Sequence, residues 1–306
     1  MKNKKYNKYK LIIILIIIYF PHFCKCLKLL LIPYILINQY NAIEKYLKVC
    51  SFEGNLKYLK VNKSIFPKIS IITPVFNTGK FVLRLLRSVQ YQNFNSIEII
   101  LIDDCSIYNS LELLKKYKTE DCRIRIIKNK INKGTFASRN IGILKSKGIY
   151  LMFPDSDDIL LENSLKYFYN FSIKYDYEVL RYNLYKGQGR TFFDFINKKL
   201  KSRPIYQPEL ATYLFYGFGY LSQLDFNISS KFIKREALIR ALNVIPKSDL
   251  FMYMSTFEDG LLNYMLYRTA KSSYFLKRLG YYYIQNNVLK PEYKKGYLHS
   301  IWWTYL

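Results

Sequence analysis

The stretch Asp155-Ser-Asp-Asp158 sets two carboxylates one residue apart, directly after the apolar run Tyr150 to Phe153. Alternate side chains of an extended chain project to the same side, so Asp155 and Asp157 can share one divalent cation. Hard oxygen ligands suit Mg²⁺ or Mn²⁺, cations that also accept phosphate oxygens. The same residue types serve equally well as a turn followed by a helix cap, and Asp158 or Glu162 could do only that. Asp103-Asp104 follows the run Ile97 to Ile102 and carries the same two readings. Glu258-Asp259-Gly260 opens a helical stretch, where the macrodipole by itself favours acids. Beside a metal site, Asp259 becomes a candidate general base.

These residues must be positioned by something regular, and from Lys68 onward the chain is regular. Ile69 to Thr73 reads as a strand ended by Pro74, and residues 80 to 92 place Phe81, Leu85, Leu86 and Val89 at helical spacing. Strands then follow at Ile97 to Ile102, Ile124 to Lys128 and Tyr150 to Phe153, alternating with helices near 109 to 118 and 135 to 146. Such alternation predicts a parallel, doubly wound sheet, which binds ligands outside the carboxyl ends of its strands. Asn77, Asp103 with Asp104, and the 155 to 158 cluster follow three of those ends. One crevice would therefore collect them. Beyond it the sequence predicts aromatic-rich helices and strands from 162 to 216, a basic loop around Lys186 to Arg190, and a strand pair near Tyr274 to Leu276 and Tyr281 to Ile284.

The chain has 306 residues, half of them hydrophobic and 18% aromatic, enough for a packed core rather than a disordered tract. Its net charge of +26 comes from Lys spread through almost every segment, which reads as a composition bias. No basic stripe or nucleic-acid module is visible, so no nucleic-acid partner is expected. Cys24, Cys26, Cys50, Cys105 and Cys122 show no paired C-x-x-C spacing and read as mostly structural.

Residues 1 to 10 hold five lysines, and apolar runs follow from Leu11 to Phe20 and from Leu27 to Ile37. This is a membrane-directed start, with a signal-anchor, a cleaved signal and an interfacial segment all open. The positive-inside rule keeps the amino terminus cytosolic and places the remainder in the lumen of the endoplasmic reticulum or Golgi. Asn-x-Ser sequons at Asn62, Asn170 and Asn227 suit a lumenal domain without establishing one. The expected organisation is a basic, hydrophobic signal-anchor or signal segment over 1–37, the single-pass anchor being favoured, a helical linker over 38–67, an α/β domain over 68–287 and a tail over 288–306.

Five ordered motifs carry a resemblance. Ile71-Ile-Thr-Pro-Val-Phe-Asn77, Leu101-Ile-Asp-Asp-Cys-Ser106, Asn132-Lys-Gly134 with Ser138-Arg-Asn140, Phe153-Pro-Asp-Ser-Asp-Asp158 and Phe257-Glu-Asp-Gly260 together resemble the family 2 glycosyltransferases of GT-A fold, over the domain at 68–287. The resemblance implies an α/β, Rossmann-like, mostly parallel central sheet flanked by helices, and an inverting, metal-dependent transfer from a nucleotide-sugar, a UDP-sugar being the commonest case, to a glycan, protein or lipid hydroxyl. It implies Pro74, Phe76 and Asn77 at the nucleotide pocket, Asp104 on the base or ribose, and Arg139 near the diphosphate. Asp155 would contact the ribose or the metal-bound diphosphate, Asp157 would ligate Mn²⁺ or Mg²⁺, and Asp259 would be the catalytic base. Phe76 stands where Tyr is usual, Pro154 replaces a common apolar residue, and the Q-x-x-R-W run of processive polymerases is missing. A dolichyl-phosphate sugar synthase and a catalytically idle nucleotide- or glycan-binding module are the rival readings.

Overall fold

The computed structural model describes residues 66–107, 110–186, 203–216, 227–254 and 256–284. The membrane-directed segment 1–37, all but the end of the 38–67 linker, the basic loop beyond Lys186 and the 288–306 tail lie outside the described residues. No helix among the described residues is long and apolar enough to cross a membrane.

The first half folds as the alternation predicts. Strands β1 (Ile69–Val75), β2 (Ile97–Asp103), β3 (Ile124–Lys128) and β4 (Tyr150–Met152) lie in the order β3-β2-β1-β4, all parallel. Helices α1 (Val82–Gln90), α2 (Ser110–Glu120) and α3 (Gly134–Lys145) connect them. Both faces of β1 and β2 are buried, which explains their nearly unbroken aliphatic runs. Alternation then sorts the side chains. Ile69, Ile71, Ile97, Ile99 and Leu101 pack with Val82, Leu85 and Leu86 of α1 and Leu114 of α2, whereas Ile72, Ile100 and Ile102 pack with Phe136 and Ile143 of α3. Each such aliphatic side chain taken fully out of water contributes roughly 1.5–3 kcal/mol. Pro74 pairs with Ile102 on β2 but lies beyond β4, which reaches only to Ile71, so its missing N–H costs the ladder little.

The second half departs from a mostly parallel sheet. It adds β5 (Ile159–Leu160), α4 (Ser164–Tyr175), β6 (Val179–Lys186), β7 (Pro204–Tyr206), α5 (Glu209–Tyr216), β8 (Lys231–Lys234), α6 (Arg235–Asn243), α7 (Glu258–Thr269) and β9 (Ser272–Tyr283). Strand β8 lies antiparallel between β4 and β6, while β9 runs parallel to β6 and carries β5 and β7 antiparallel on its other side. The sheet of nine strands is therefore mixed. The expected strand pair is one strand, β9, with register shifts against β6 around Asn183. Lys277-Arg-Leu-Gly280 resembles a turn in sequence, yet Gly280 stays in the strand, where a Cβ would sit 2.3 Å from the ring of Phe168.

Candidate active site

Three parallel strands, β2, β1 and β4, stop side by side, and Asp104, Asn77 and Asp155 follow their carboxyl ends. After β1, Asn77 adopts a left-handed conformation (φ 52°) and its Oδ1 accepts the Ile107 N–H at 2.9 Å, while Asn77 N–H donates to Ser106 Oγ at 3.1 Å. Asn is among the residues that tolerate this conformation best. Asn77 therefore binds the β1 end to the β2 end. Phe76 beside it is exposed, and Pro74 is half-buried.

Asp104, after β2, is buried and engaged. Its Oδ1 accepts from Asn129 Nδ2 at 2.7 Å and Lys133 N at 2.9 Å, and its Oδ2 accepts from Gly134 N at 2.8 Å. Those two backbone donors belong to the start of α3, so Asp104 caps that helix from a different element. Gly134 is required there twice over. Its φ is +78°, and a Cβ would lie 2.7 Å from the carbonyl oxygen of Met254, to which Gly134 is bridged. The Asn132-Lys-Gly134 motif thus links the Asp104 end to the loop preceding α7.

Helix α3 then presents Ser138, Arg139 and Asn140 in three directions. Ser138 Oγ accepts from Asn129, and Asn140 Nδ2 donates to Leu250 O at 2.8 Å. Between them Arg139 reaches the turn after β4 and the start of α7. Its Nη2 donates to Asp155 Oδ1 at 2.9 Å, its Nη1 donates to Asp259 Oδ1, and Glu258 lies 3.8 Å away. The guanidinium is only 4% exposed. Burial works against its charge, but Asp259, Asp155 and Glu258 outweigh burial and hold the group more firmly protonated than an ordinary Arg. Asp155 and the adjacent pair Glu258 and Asp259, about a hundred residues apart in sequence, therefore share one cation.

Asp155 sits in the turn after β4, which Thr73 secures by donating its hydroxyl to Pro154 O at 3.0 Å. Partial burial pushes the Asp155 carboxyl up to about 6, opposed by Arg139 and reinforced by Asp259 and Asp157. Asp157 is exposed two residues on. Asp259 lies in the first turn of α7, where its Oδ2 accepts the Ile228 N–H at 3.1 Å. The helix terminus favours an acid there. Asp158 is not a helix cap: α4 begins only at Ser164, after left-handed Asn163. Asp158 is fully buried instead, accepting from Tyr281 Oη at 2.5 Å and from Ile284 N at 2.8 Å. Burial, and then Asp155 and Asp157, hold its carboxyl well above the usual range.

Among the described residues, no group of three or more His, Cys, Asp or Glu side chains converges as a metal cage. Asp155 and Asp157 supply two carboxylates. That set fits Mg²⁺ or Mn²⁺ when a diphosphate and water complete the shell, since these cations are commonly held by one or two carboxylates plus substrate phosphates. The sequence places Tyr281 and Ile284 in a strand but gives neither a part in the site, because nothing local marks a tyrosine in a tyrosine-rich strand as facing an acidic turn more than a hundred residues earlier.

The sequence profile of the Glycosyl transferase family 2 matches residues 70–240, more than half of the chain. The chain belongs to this family. Among curated relatives, the glycosyltransferase GlyG of Streptococcus pneumoniae is 34% identical over 128 residues, covering 41% of this chain and 42% of that protein. TarS of Staphylococcus aureus, a poly(ribitol-phosphate) beta-N-acetylglucosaminyltransferase, is 25% identical over 219 residues, covering 71% of this chain and 35% of that protein. The crystal structure of S. aureus TarS 1–349 in complex with UDP-GlcNAc superposes with a TM-score of 0.56 at 22% identity, over 72% of this chain and 59% of that one. The two share the GT-A fold. The chain spans less than half the length of the curated relatives it matches.

Proposed function

We propose that this chain is an inverting, metal-dependent glycosyltransferase that moves a sugar from a UDP-sugar to a hydroxyl acceptor. The observation that carries the reading is the position of Arg139, which joins Asp155 of the carboxylate turn to Asp259 of α7. A donor diphosphate belongs beside the first and an acceptor hydroxyl beside the second. The UDP-GlcNAc bound by TarS, which shares the fold, supports a UDP-sugar as the donor class.

In this reading Asp155 and Asp157 hold Mg²⁺ or Mn²⁺, which when bound neutralises the diphosphate oxygens and improves UDP as a leaving group. Pro74, Phe76, Asn77 and Asp104 border the nucleoside, Asn77 and Asp104 by fixing the two strand-end loops that would flank it. Arg139, bonded to Asp155, would lie beside the diphosphate and supply positive charge for the departing group. Asp259 takes the proton of the acceptor hydroxyl. The acceptor oxygen forms its bond to the anomeric carbon as the bond from that carbon to the diphosphate oxygen breaks, and the electron pair leaves with UDP. One displacement inverts the centre, so no covalent sugar-enzyme intermediate is needed. Membrane attachment in the secretory pathway is part of the same proposal and rests on the lysines and apolar runs of residues 1–37.

The test is UDP release from a panel of UDP-sugars, with Mn²⁺ and with chelator, for the parent, Asp157→Ala and Asp259→Asn. Asp157→Ala should lose metal-dependent UDP binding. Asp259→Asn should keep that binding while turnover falls about 10²- to 10⁴-fold, the usual contribution of a positioned base. Turnover indifferent to metal and to both substitutions would overturn the proposal.

A further inference from the structure

The hydroxyl of Tyr281 is placed where a phenylalanine would fill the same space. Tyr281 is fully buried in the core beside Leu160 and Phe168, so packing explains its ring but not its oxygen. That oxygen accepts the Asp155 N–H at 3.0 Å and donates to Asp158 Oδ2 at 2.5 Å. It therefore closes a loop across the turn that carries Asp155 and Asp157. The other Asp158 oxygen accepts the Ile284 N–H at 2.8 Å. The chain leaving the turn is then gripped by the same strand, since Ile159 pairs with Tyr282 and Leu160 with Tyr281. Within the turn, Asp158 N–H closes on Asp155 O at 3.2 Å. Both ends of the acidic turn are thus fixed by β9 and the residue that follows it, from positions 123 and 126 residues distant in sequence.

We infer that Tyr281 and Asp158 form a positioning brace that sets the spacing of Asp155 and Asp157 for a divalent cation and the donor diphosphate. The inference rests on the proposed function for the identity of the ligand, and on the hydrogen bonds alone for the brace. Neither residue touches the reacting atoms in this account. Both act through the backbone of the turn, as partners behind metal ligands commonly do, and loss of such a partner typically costs 10- to 100-fold in metal affinity or activity.

The experiment compares the full chain with Tyr281→Phe and Asp158→Asn. The first readout needs no ligand: amide hydrogen exchange of the peptide spanning Phe153 to Asp158. Both variants should exchange there about tenfold faster or more, because Tyr281→Phe removes the acceptor of the Asp155 amide and Asp158→Asn leaves one oxygen for two donors, the Tyr281 hydroxyl and the Ile284 N–H. The second readout is calorimetric titration of Mn²⁺ in the presence of UDP, where the apparent dissociation constant should rise about 10- to 100-fold. In turnover, the donor KM should rise with the metal requirement while the acceptor KM stays unchanged. Unchanged exchange, or weakened cation binding without faster exchange, overturns the brace. If Tyr281→Phe does not fold cooperatively, Asp158→Asn alone decides by the same criteria. A parent chain that fails to bind UDP with Mn²⁺, yet shows faster exchange in the variants, overturns the proposed function and keeps the brace. A parent that binds, with variants indistinguishable from it in both readouts, does the reverse.

Discussion

Arg139 Nη2 donates to Asp155 Oδ1 at 2.9 Å, and this contact ties the middle of α3 to the turn after β4. The same guanidinium reaches Asp259, so the two acids assigned to opposite halves of the reaction are held by one buried cation. Removing it leaves three carboxylates close together without their shared counter-charge. Arg139→Met should lower stability by about 1–3 kcal/mol at pH 7, less than for a deeply buried pair because the acids keep some contact with water. The deficit should shrink at pH 5, where the crowded carboxylates can protonate. Thermal melts of parent and variant at the two pH values check this, and an equal deficit at both would contradict it.

Asp155 makes a separate prediction through its own titration. Its carboxyl is raised to about 6 from an ordinary 3.8, burial being the leading cause. A raised acid favours folding when protonated, so its contribution is fully present below the ordinary value and is lost as the pH rises through about 6. Cation binding has the opposite preference, since only the carboxylate ligates. Mn²⁺-dependent UDP affinity should therefore climb between pH 5 and pH 7, and Asp155→Asn should flatten that climb. Calorimetric titrations at a series of pH values measure both slopes.

Asp104 is expected to matter first for folding. Asp104→Ala would take the acceptor from the Lys133 N–H and remove one of the two acceptors of the Asn129 amide and of the Gly134 N–H, which keep Ser138 Oγ and Asn132 Oδ1. A loss of about 1–3 kcal/mol in urea unfolding is the expected outcome, the usual cost of leaving buried donors unpaired. An unfolding midpoint equal to the parent's would show that the cap is dispensable.

Gly134→Val tests the crossing of α3 and the loop before α7. A branched side chain must adopt a positive φ there and meet the Met254 carbonyl at 2.7 Å. Strain of this kind costs on the order of 1–3 kcal/mol. The Arg139 to Asp259 contact should be disturbed with it, so turnover should fall by more than the melting shift alone explains.

Much of the first half was legible because local rules decide it. The expected strand Ile124 to Lys128 is β3 as found, and the helix expected over 135 to 146 is α3 at 134–145. Aliphatic runs buried on both faces and helical spacing of apolar residues are visible without knowing any distant partner. The second half was less legible because its strands depend on what they pair with. β9 contains Lys277, Arg278 and Gly280, a combination that looks like a turn until Phe168 is seen to occupy the space a side chain would need.

The sequence by itself determined the family, the succession of strands and helices, and the residue types capable of cation, phosphate and proton chemistry, because motif spacing and periodicity are local properties. It could not assign partners. Only the tertiary structure decided that Asp104 spends its oxygens on the start of α3, that Arg139 serves Asp155 and Asp259 together, and that Asp158 answers to Tyr281 rather than to a helix. A carboxylate's role follows from which donors surround it and how far it is from water, and both are fixed by residues that chain folding brings from a hundred positions away.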